Sequence, residues 1–536
     1  MSDSQELCTG DPEKVPASYS RFLLPFSYRK TEPQPAKDDG EPRFVPIKPL
    51  APAHRRQYLT FETASVLYER ALWLELREKD EQGHEKPLGS RFTFYRPLGK
   101  GAEKAIKVEL AAPRLVLFEW PAARENGEQE EDPFATGFLC LELWFPPTTA
   151  LTLDDLCAVN ELFRYWMKPF PEHSDEERWY WHALRNLPLS PDRWQRRDDP
   201  TEWVQAEYLG RWAFLLQVPC VTSEGKYQLV RPEDDQEAAK GWVNAGQGEG
   251  GWVVYSDCRA FVWTCAVMPG GAAKLVGTRA WTQLLNVDPP GWGELSQFER
   301  EWTKERTYQR WVESGSLYGF TVHSGAAALP WMEEPPVWRH FRQEYFDQTL
   351  LLLYTRVGLF RFSRWLSEVS AEGRKKGAGE RDERLERSLS RIRKSLTLFA
   401  NLYQFPLLSN QQQGIEMYTL AREVMDIQEL ANELQTQSQG SHELLDMLAD
   451  QEESLAARRL NVVAAGGLAL AVATGFLGMN IVAERLVKGT WSFQGFREWA
   501  VFIATAVGAT LLLLVAARNW KGIERLLFRD SDKETR

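Results

Sequence analysis

The sequence predicts a mixed α+β or α/β domain, followed by a long helical stalk and a two-helix transmembrane hairpin at the C-terminus. Three observations lead to this fold class. Strand-like and helix-like segments alternate between residues 56 and 335. Apolar residues recur at heptad spacing from about residue 420 to residue 455. Two long apolar runs then follow near the C-terminus.

Length and composition set the broad class of protein. With 536 residues the chain is longer than one ordinary domain, and its hydrophobic fraction of 43% is enough for a sizeable core. The mean hydropathy of -0.42 indicates that most of the chain is water-soluble. A net charge of -11 argues against a nucleic-acid partner and suits a protein that meets cations.

The potential catalytic and metal-binding residues form no familiar pattern. The six cysteines include no Cys-x-x-Cys pair, and the seven histidines show no zinc-site spacing. We therefore expect buried free thiols in a reducing compartment and no covalently bound cofactor. No nucleophile stands in a motif with a base, so we expect that the protein is not an enzyme.

Two apolar runs near the C-terminus are long enough to cross a bilayer. The first, at 460–480, has about 21 residues at 1.5 Å each and matches the roughly 30 Å hydrocarbon core. The second lies at 499–517, after a loop at 481–498. Six Lys and Arg residues lie near the spans on the side of the termini, two at 458–459 and four at 518–529 in the basic tail 518–536, against three in the loop. This bias predicts a multi-pass protein of the inner (plasma) membrane with both termini in the cytoplasm. The first 20 residues are acidic and have no apolar stretch, so we expect no signal peptide.

The sequence of the N-terminal half predicts a disordered arm followed by an α/β domain. Residues 1–55 are rich in Pro, Lys and acids, and predict a disordered arm with one docked patch at Phe22–Phe26. Residues 56–335 predict the cytoplasmic α/β domain, which opens with an amphipathic helix over Tyr58–Arg77 and contains a helix capped by Thr152. Its predicted strands include Arg91–Tyr95, Ile106–Leu110, Arg114–Trp120, Gly137–Trp144, Ala260–Val267 and Leu317–Val322.

Residues 336–459 predict a helical bundle and a coiled stalk. Two helices are expected over about 337–370 and 382–404, and Ser409 is expected to cap a third that runs unbroken from about 410 to 480. The apolar seam of this third helix advances by alternate steps of three and four residues through Leu420, Val424, Ile427, Ala431, Leu434, Ser438, Ser441, Leu445, Leu448, Glu452 and Leu455.

The first apolar run ends in Gly478-Met479-Asn480. Two C-terminal spans with this tripeptide at the end of the first resemble the CorA family of divalent-cation channels, in which the tripeptide is the signature. The resemblance covers about 336–530. It implies a homo-oligomer, by family a pentamer, that passes Mg²⁺ through the bilayer and is gated by a cytoplasmic sheet-and-helix domain. Its partners would be further copies of the chain, lipid and divalent cations, with no nucleic acid.

The residue types at the motif suit that role. Mg²⁺ sheds water reluctantly, so a channel can recognise the hydrated ion through its water shell. One Asn480 amide oxygen per subunit would form a ring that accepts hydrogen bonds from those waters, and Gly478 permits a sharp turn as the helix ends. The family's Met-Pro-Glu-Leu loop is absent here, and Glu484 is the acid nearest the motif that can attract cations.

Extending the seam into the first span gives candidate pore-lining residues. These are Val462, Gly466, Ala469, Ala473 and Phe476. Glu452 lies 28 residues before Asn480 and is a candidate for an acidic ring at the cytoplasmic mouth. The same steps place Arg459 on the axis, where a ring of arginines would repel cations, so either Arg459 turns outward or the phase of the seam is wrong. The family's regulatory Mg²⁺ would bind here to Asp446, Asp450 and Glu453, for which a solvated helix face is the alternative.

Two other functions remain open on the sequence. The chain contains 22 Trp residues, which either fill the core or line a ligand site. A ligand site would make the protein a small-molecule-gated CorA-like effector that depolarises the membrane. The second alternative is a membrane-tethered interaction module with a vestigial pore.

The predicted topology can be tested by labelling. Gly489→Cys, in the loop at 481–498, should react with a membrane-impermeant thiol reagent in intact cells, because the loop is expected outside. Lys533→Cys, in the tail, is the matched control and should react only after the cells are opened. Labelling of the tail variant without labelling of the loop variant would reverse the topology.

Overall fold

The computed structural model describes most of the chain before the apolar runs. The described residues are 6–29, 43–47, 53–80, 82–99, 102–118, 134–164, 218–221, 227–230, 259–291, 293–333, 336–375 and 383–441, with a set of helical positions between 443 and 475. The chain divides into two compact units, which are Met1–Ala378 with Asp382–Ser438, and Gly379–Arg381 with Gln439–Arg536.

A sheet of twelve strands forms the centre of the first unit in its described residues. Nine strands lie side by side in the order β14 (Thr307–Tyr308), β15 (Leu317–Phe320), β16 (Ser324–Pro330), β13 (Phe261–Met268), β2 (Tyr19–Arg29), β9 (Phe134–Trp144), β8 (Arg114–Phe118), β4 (Leu72–Lys79) and β3 (Arg43–Ile47). β13 and β16 are parallel, and the other pairs along this path are antiparallel.

Smaller pairings complete the described strands. β5 (Glu85–Pro87) pairs with β4, and the hairpin of β6 (Ser90–Gly99) and β7 (Ala102–Leu110) joins the sheet through β9. Two two-stranded sheets stand apart: β1 (Glu6–Leu7) with β10 (Leu151–Thr152), and β11 (Val218–Val221) with β12 (Tyr227–Val230).

The prediction of a disordered arm over 1–55 is wrong for β2, β3 and the segment 6–18. β2 lies between β13 and β9 at the centre of the sheet, with Tyr19 and Phe22 buried. All 11 residues of β2 pair with β9, which lies more than a hundred residues later in the chain. Composition predicts disorder here because it carries no information about strand partners that lie so far away in the chain.

Other predicted elements are confirmed where the structure describes them. The six predicted strands correspond to β6, β7, β8, β9, β13 and β15. Helix α3 (Leu153–Phe163) begins after Thr152, whose side chain accepts from the backbone of Asp155 while the Asp155 carboxylate accepts from the backbone of Thr152. This capping box satisfies two amide groups at the helix start.

The predicted helix over Tyr58–Arg77 is confirmed only in part, because residues 61–70 are helical and residues 72–77 form a strand. Two short helices, α1 (Ala53–Tyr58) and α2 (Phe61–Ser65), are followed by a π-helical turn at Val66–Arg70, and β4 then begins. Residues 73–76 of β4 are buried between β8 and β3. A strand that is buried on both faces has consecutive apolar residues in its sequence. Such a short apolar run cannot be distinguished from part of a buried helix by periodicity alone.

Helices cover the sheet and lead towards the C-terminus. They are α4 (Arg279–Asn286), α5 (Gln297–Glu305), α6 (Pro336–Arg342), α7 (Glu344–Lys375), α8 (Glu383–Tyr403) and α9 (Gln412–Val424). Tyr354 of α7 stacks on Phe118 of β8 at 4.2 Å between ring centres, and it also contacts Phe399 of α8. A Cβ atom at Gly358 would lie 2.2 Å from the Phe399 ring, so this close approach of α7 and α8 requires glycine.

The predicted unbroken helix over about 410–480 is wrong because it is interrupted at Asp426. This residue has a left-handed φ of 55°, and a new helix begins at the next residue. The N–H of Leu430 donates to the Asp426 carbonyl at 3.0 Å, so Asp426 opens the second helix. Ser409 is not the N-cap of α9, because Gln411 occupies that position. The Ser409 hydroxyl donates to the Tyr58 carbonyl at 2.7 Å and accepts from the N–H of Gln411 at 3.1 Å.

After this break the predicted seam is the buried side of the helix. Ile427, Leu434 and Ser438 are buried and Ala431 is half-buried, whereas the positions at 428–429, 432–433 and 435–437 are exposed. One buried stripe at steps of three and four is what the seam predicts. On α9 the seam is shifted, since Leu420 and Val424 are half-buried and the buried residues are Gly414, Met417, Tyr418 and Ala421.

Among the residues that the structure describes, no helix has both the length and the apolar composition needed to cross a membrane. The second predicted span, at 499–517, lies outside these residues. Of the first, at 460–480, only seven positions are described, and all seven are helical.

Three cysteines confirm the expectation of buried free thiols. Cys140, Cys157 and Cys265 lie in β9, α3 and β13 and form no disulfide. Burial raises the pKa of each thiol, that of Cys140 to about 11. These thiols therefore remain protonated near neutral pH and behave as small apolar groups.

A buried ionic network holds α6 against the centre of the sheet. Arg21 of β2 donates from Nε to the Glu142 carboxylate of β9 at 2.5 Å, and from a second nitrogen to the Arg342 carbonyl at 2.7 Å. The Arg342 guanidinium lies 2.7 Å from the other oxygen of Glu142. Burial alone would raise the pKa of Glu142, but the two arginines outweigh burial and hold this pKa at about 2.

Glu142 should make the stability of the fold depend on pH in acid. Its pKa is about 2 in the folded protein against an ordinary 4.5, so its contribution is complete above about pH 4.5 and is lost as the pH falls towards 2. The loss should be on the order of 3 kcal/mol, measured by urea unfolding of the detergent-solubilised protein with Trp fluorescence. Glu142→Gln should be less stable at pH 7 and should lack this part of the pH dependence. An identical acid profile in the variant would contradict the role of Glu142.

Candidate functional site

Most of the predicted channel residues lie outside the described residues. These are Asp446, Glu452, Glu453, Val462, Gly466, Ala469, Ala473, Phe476, Gly478, Met479, Asn480 and Glu484. Asp450 and Arg459 are described, and both are helical and exposed. Every described position between 443 and 475 is helical, and the roles assigned along this stretch stay predictions.

Within the first unit, a group of titratable side chains lies where α1 and the π-helical turn meet the start of α7. We call this group the helix junction. It consists of Arg55, Tyr58, Tyr68, His340, Glu344, Tyr345 and Asp347.

The centre of the helix junction is a doubly bonded ion pair between Arg55 and Asp347. Nε of Arg55 donates to one carboxylate oxygen at 2.6 Å, and a terminal nitrogen donates to the other at 2.5 Å. The Asp347 side chain is fully buried and that of Arg55 is 13% exposed. Burial would lower the pKa of Arg55, but the Asp347 carboxylate outweighs burial and raises it, so the guanidinium stays charged.

Tyr68 of the π-helical turn adds a third donor to this carboxylate through its hydroxyl. Burial raises the pKa of Tyr68, and the neighbouring charge of Asp347 raises it further. The hydroxyl therefore keeps its proton and remains a donor at every physiological pH. Three donors to one buried carboxylate replace the water that Asp347 loses on folding.

Aromatic rings form the other side of the helix junction. The Tyr58 hydroxyl donates to the Tyr345 hydroxyl at 3.1 Å, and the His340 ring lies 5.1 Å from the Tyr58 ring. Nδ1 of His340 lies 3.2 Å from the buried Glu344 carboxylate, one helical turn along the chain. Burial raises the pKa of Tyr345 to about 12, and burial also raises the pKa of Tyr58.

The same short segment binds the connection between α8 and α9. The Tyr58 carbonyl accepts from the Ser409 hydroxyl at 2.7 Å and from the Asn410 N–H at 3.2 Å. The N–H of Thr60 donates to the Leu408 carbonyl at 3.0 Å. Residues 58–60 therefore contact α7 through their side chains and the α8–α9 connection through their backbone.

A second polar contact joins α9 to the edge of the sheet. Arg310 approaches the two oxygens of Glu416 at 2.7 and 2.9 Å, and the Tyr308 hydroxyl of β14 donates to the same carboxylate. Hydrogen bonds from Tyr308, Gln412 and Arg310 hold the pKa of Glu416 at about 2. This carboxylate is therefore ionised throughout the physiological range.

This arrangement couples several elements of the first unit to one another. In the described part of the chain, no group of three or more His, Cys, Asp and Glu side chains is placed to hold a metal ion. The segment 55–68, which directly precedes β4, contacts α7 through Arg55 and the α8–α9 connection through Tyr58. Moving α7 away from this segment would separate Arg55 from Asp347, and separating a buried pair costs several kcal/mol.

Sequence spacing does not reveal the helix junction. Arg55 and Asp347 are 292 positions apart, and Tyr68 lies 279 positions from Asp347. One available signal is the occurrence of Glu344 and Asp347 just before the apolar run 350–354 of α7, because a buried acid requires a partner. That signal predicts a partner without identifying it.

Comparison with known proteins adds no relative: no family model, no curated protein and no solved structure matches the chain. The resemblance to CorA therefore rests on Gly478-Met479-Asn480, the two apolar runs and the helices before them.

Removing the charge of Asp347 tests the helix junction. Asp347→Asn should lower the free energy of unfolding by about 3 kcal/mol, because the buried guanidinium of Arg55 loses the carboxylate to which it makes two hydrogen bonds. Urea unfolding of the detergent-solubilised full chain measures this. Glu69→Gln, at the exposed ion pair between Arg56 and Glu69 in the same segment, is the matched control and should change stability by no more than about 0.5 kcal/mol. Equal effects of the two substitutions would contradict a special role for Asp347.

Proposed function

We propose that the chain is a CorA-like, homo-oligomeric membrane channel that passes divalent cations, with Mg²⁺ as the permeant ion. The observation that carries the proposal is the position of Gly478-Met479-Asn480. The tripeptide ends the first of two C-terminal apolar runs, each long enough to cross a bilayer. One hairpin cannot enclose a water-filled path, so the function requires several copies of the chain.

Ion selection would depend on the amide of Asn480. A ring of neutral oxygens accepts hydrogen bonds from the water shell of Mg²⁺ and does not require the ion to lose its waters. A neutral ring also binds the ion weakly enough to release it, as conduction requires. Glu484, just outside the motif, would raise the local concentration of cations.

Movements of the first unit would open and close the pore. The buried pair Glu142–Arg342 attaches α6 to the sheet, and the buried pair Arg55–Asp347 attaches α7 to α1. The pair Arg310–Glu416 attaches α9 to the edge of the sheet. The helical region that follows Asp426 leads along the chain to the first apolar run. These contacts support a gating role because they make the sheet and the helices respond together.

Flux measurements separate the two alternative functions from this one. A small-molecule-gated effector would pass ions only when its ligand is bound. A membrane-tethered interaction module would pass none under any condition. Both alternatives keep the predicted spans, so topology alone does not distinguish them.

Asn480→Leu is the direct test of the motif. The variant removes one acceptor per subunit, and each hydrogen bond lost to a charged species is worth about 1.5–3 kcal/mol, so Mg²⁺ uptake should fall at least about tenfold. The measurement is Mg²⁺ uptake into liposomes at matched protein content. Asn461→Leu makes the same chemical change at the start of the same apolar run and should leave uptake unchanged. Equal uptake by Asn480→Leu and wild type would mean that the tripeptide only ends a helix.

A further inference from the structure

The joint between α9 and the helix that follows it depends on an unusual backbone conformation. Asp426 has a left-handed φ of 55°, which costs free energy at any residue other than glycine. The chain is helical on both sides of this joint, over 412–424 and 427–441. A right-handed conformation at the joint would therefore merge the two helices into one continuous helix.

The buried stripe of side chains shifts at this joint. Its residues follow at steps of three and four on each side, through Gly414, Tyr418, Ala421 and Met425 before the joint and through Ile427, Leu434 and Ser438 after it. Continued past Met425, the first series would reach Gln428 and Asn432, and both are exposed. The stripe thus moves back by one position, which is about 100° of rotation about the helix axis.

The sequence also contains an apolar stripe that does not shift. Leu420 and Val424 lead by the same steps into Ile427, Ala431 and Leu434, so in one continuous helix all five would lie on one face. In the broken helix of the structure, Leu420 and Val424 are only half-buried. The segment therefore has one apolar face that suits the broken form and another that suits a continuous form.

Arg356 of α7 interacts with Asp426 in the broken form. Its guanidinium donates to the Val322 carbonyl, in the turn between β15 and β16, at 3.3 Å. Its Nε atom is buried without a hydrogen-bond partner among the described residues. Burial lowers the pKa of Arg356, and the negative charge of Asp426 raises it. Asp426 thus offsets part of the cost of burying this cation, which glycine or asparagine, though suited to a left-handed φ, would not do.

We propose that α9 and the helix after it form a conformational switch between this broken form and one continuous helix, and that the attraction between Arg356 and Asp426 favours the broken form. In the continuous form, Leu420 and Val424 would take the buried places that Ala421 and Met425 hold in the broken form. One apolar pair replaces another, so the two forms are close enough in free energy to exchange. The switch goes beyond the channel function and does not depend on ion conduction.

The distance between two spin labels on the full chain in detergent tests the switch. The labels are attached through a ketone-bearing amino acid at Thr419 and Thr436, so the native cysteines stay unlabelled. Both threonines are exposed and hydrogen-bond within their own helices. A continuous helix separates these two Cα atoms by about 26 Å at 1.5 Å per residue. Singly labelled chains give any distance between copies, which is subtracted.

Substitutions at position 426 separate the backbone from the charge. Asp426→Gly accepts a left-handed φ and provides the reference distance of the broken form. Asp426→Ala lacks the same charge but resists that φ, so its ratio of continuous to broken chains should be about tenfold higher than that of Asp426→Gly.

The role of Arg356 is tested by removing one charge at a time. Asp426→Asn tolerates a left-handed φ and lacks the charge, so its ratio of continuous to broken chains should be about threefold above wild type. Arg356→Gln should act in the same direction, and adding it to Asp426→Asn should have no further effect. Glu423→Gln, the same loss of charge at an exposed residue three positions earlier, is the matched control and should leave the ratio unchanged.

The outcomes distinguish the switch from the channel. The same single distance in Asp426→Gly and Asp426→Ala overturns the switch. An effect of Asp426→Asn no larger than that of Glu423→Gln, or additive effects of Asp426→Asn and Arg356→Gln, overturns the role of Arg356. If Arg356→Gln does not fold, the comparison of Asp426→Asn with Glu423→Gln decides that role. None of these measurements involves ion flux, so a chain that conducts no Mg²⁺ leaves the switch standing, and failure of the switch leaves the channel function standing.

Discussion

The carboxylates of Glu142 and Asp347 are buried inside the first unit, and arginine side chains replace the water that each carboxylate has lost. Both acids hold helices of the later part of the chain against elements of its first half. Glu142 holds α6 through Arg342, and Asp347 holds α7 to the segment that precedes β4. Losing either partner would leave a charge in the core, so the helices have little freedom to shift relative to the sheet.

Because of this constraint, the long helices are expected to move together with the sheet. An aromatic group around Tyr354 and the close approach at Gly358 pack α7 and α8 together, so they respond as one hairpin. The α8–α9 connection binds to residues 58–60, which also contact the start of α7. A displacement at the sheet therefore reaches α7 and α9 together. In the proposed channel, that displacement is the signal that the helix after Asp426 carries towards the pore.

Local patterns predicted the elements whose causes are local. The capping residues of α3, the apolar run of β13 and the heptad stripe after Asp426 follow from neighbouring residues, and the structure agrees with each. β2 and the helix junction depend on partners more than a hundred residues away. Composition assigned β2 and Arg55 to a disordered arm, because composition carries no information about such distant partners. The helix break at Asp426 was also missed, because a left-handed φ at a residue other than glycine has no strong sequence signal. The motif residues lie outside the described residues, so their roles rest on chemistry and resemblance alone.

The central claim is that the protein conducts divalent cations, and Mg²⁺ flux through the purified wild-type chain tests it most directly. The protein is reconstituted in liposomes that contain a Mg²⁺-sensitive dye, and an inward Mg²⁺ gradient is applied with a membrane potential to drive entry. The channel proposal predicts uptake that rises with the protein-to-lipid ratio and exceeds that of protein-free liposomes. Uptake equal to that of protein-free liposomes, from oligomers of normal mass and at both signs of the membrane potential, would contradict it.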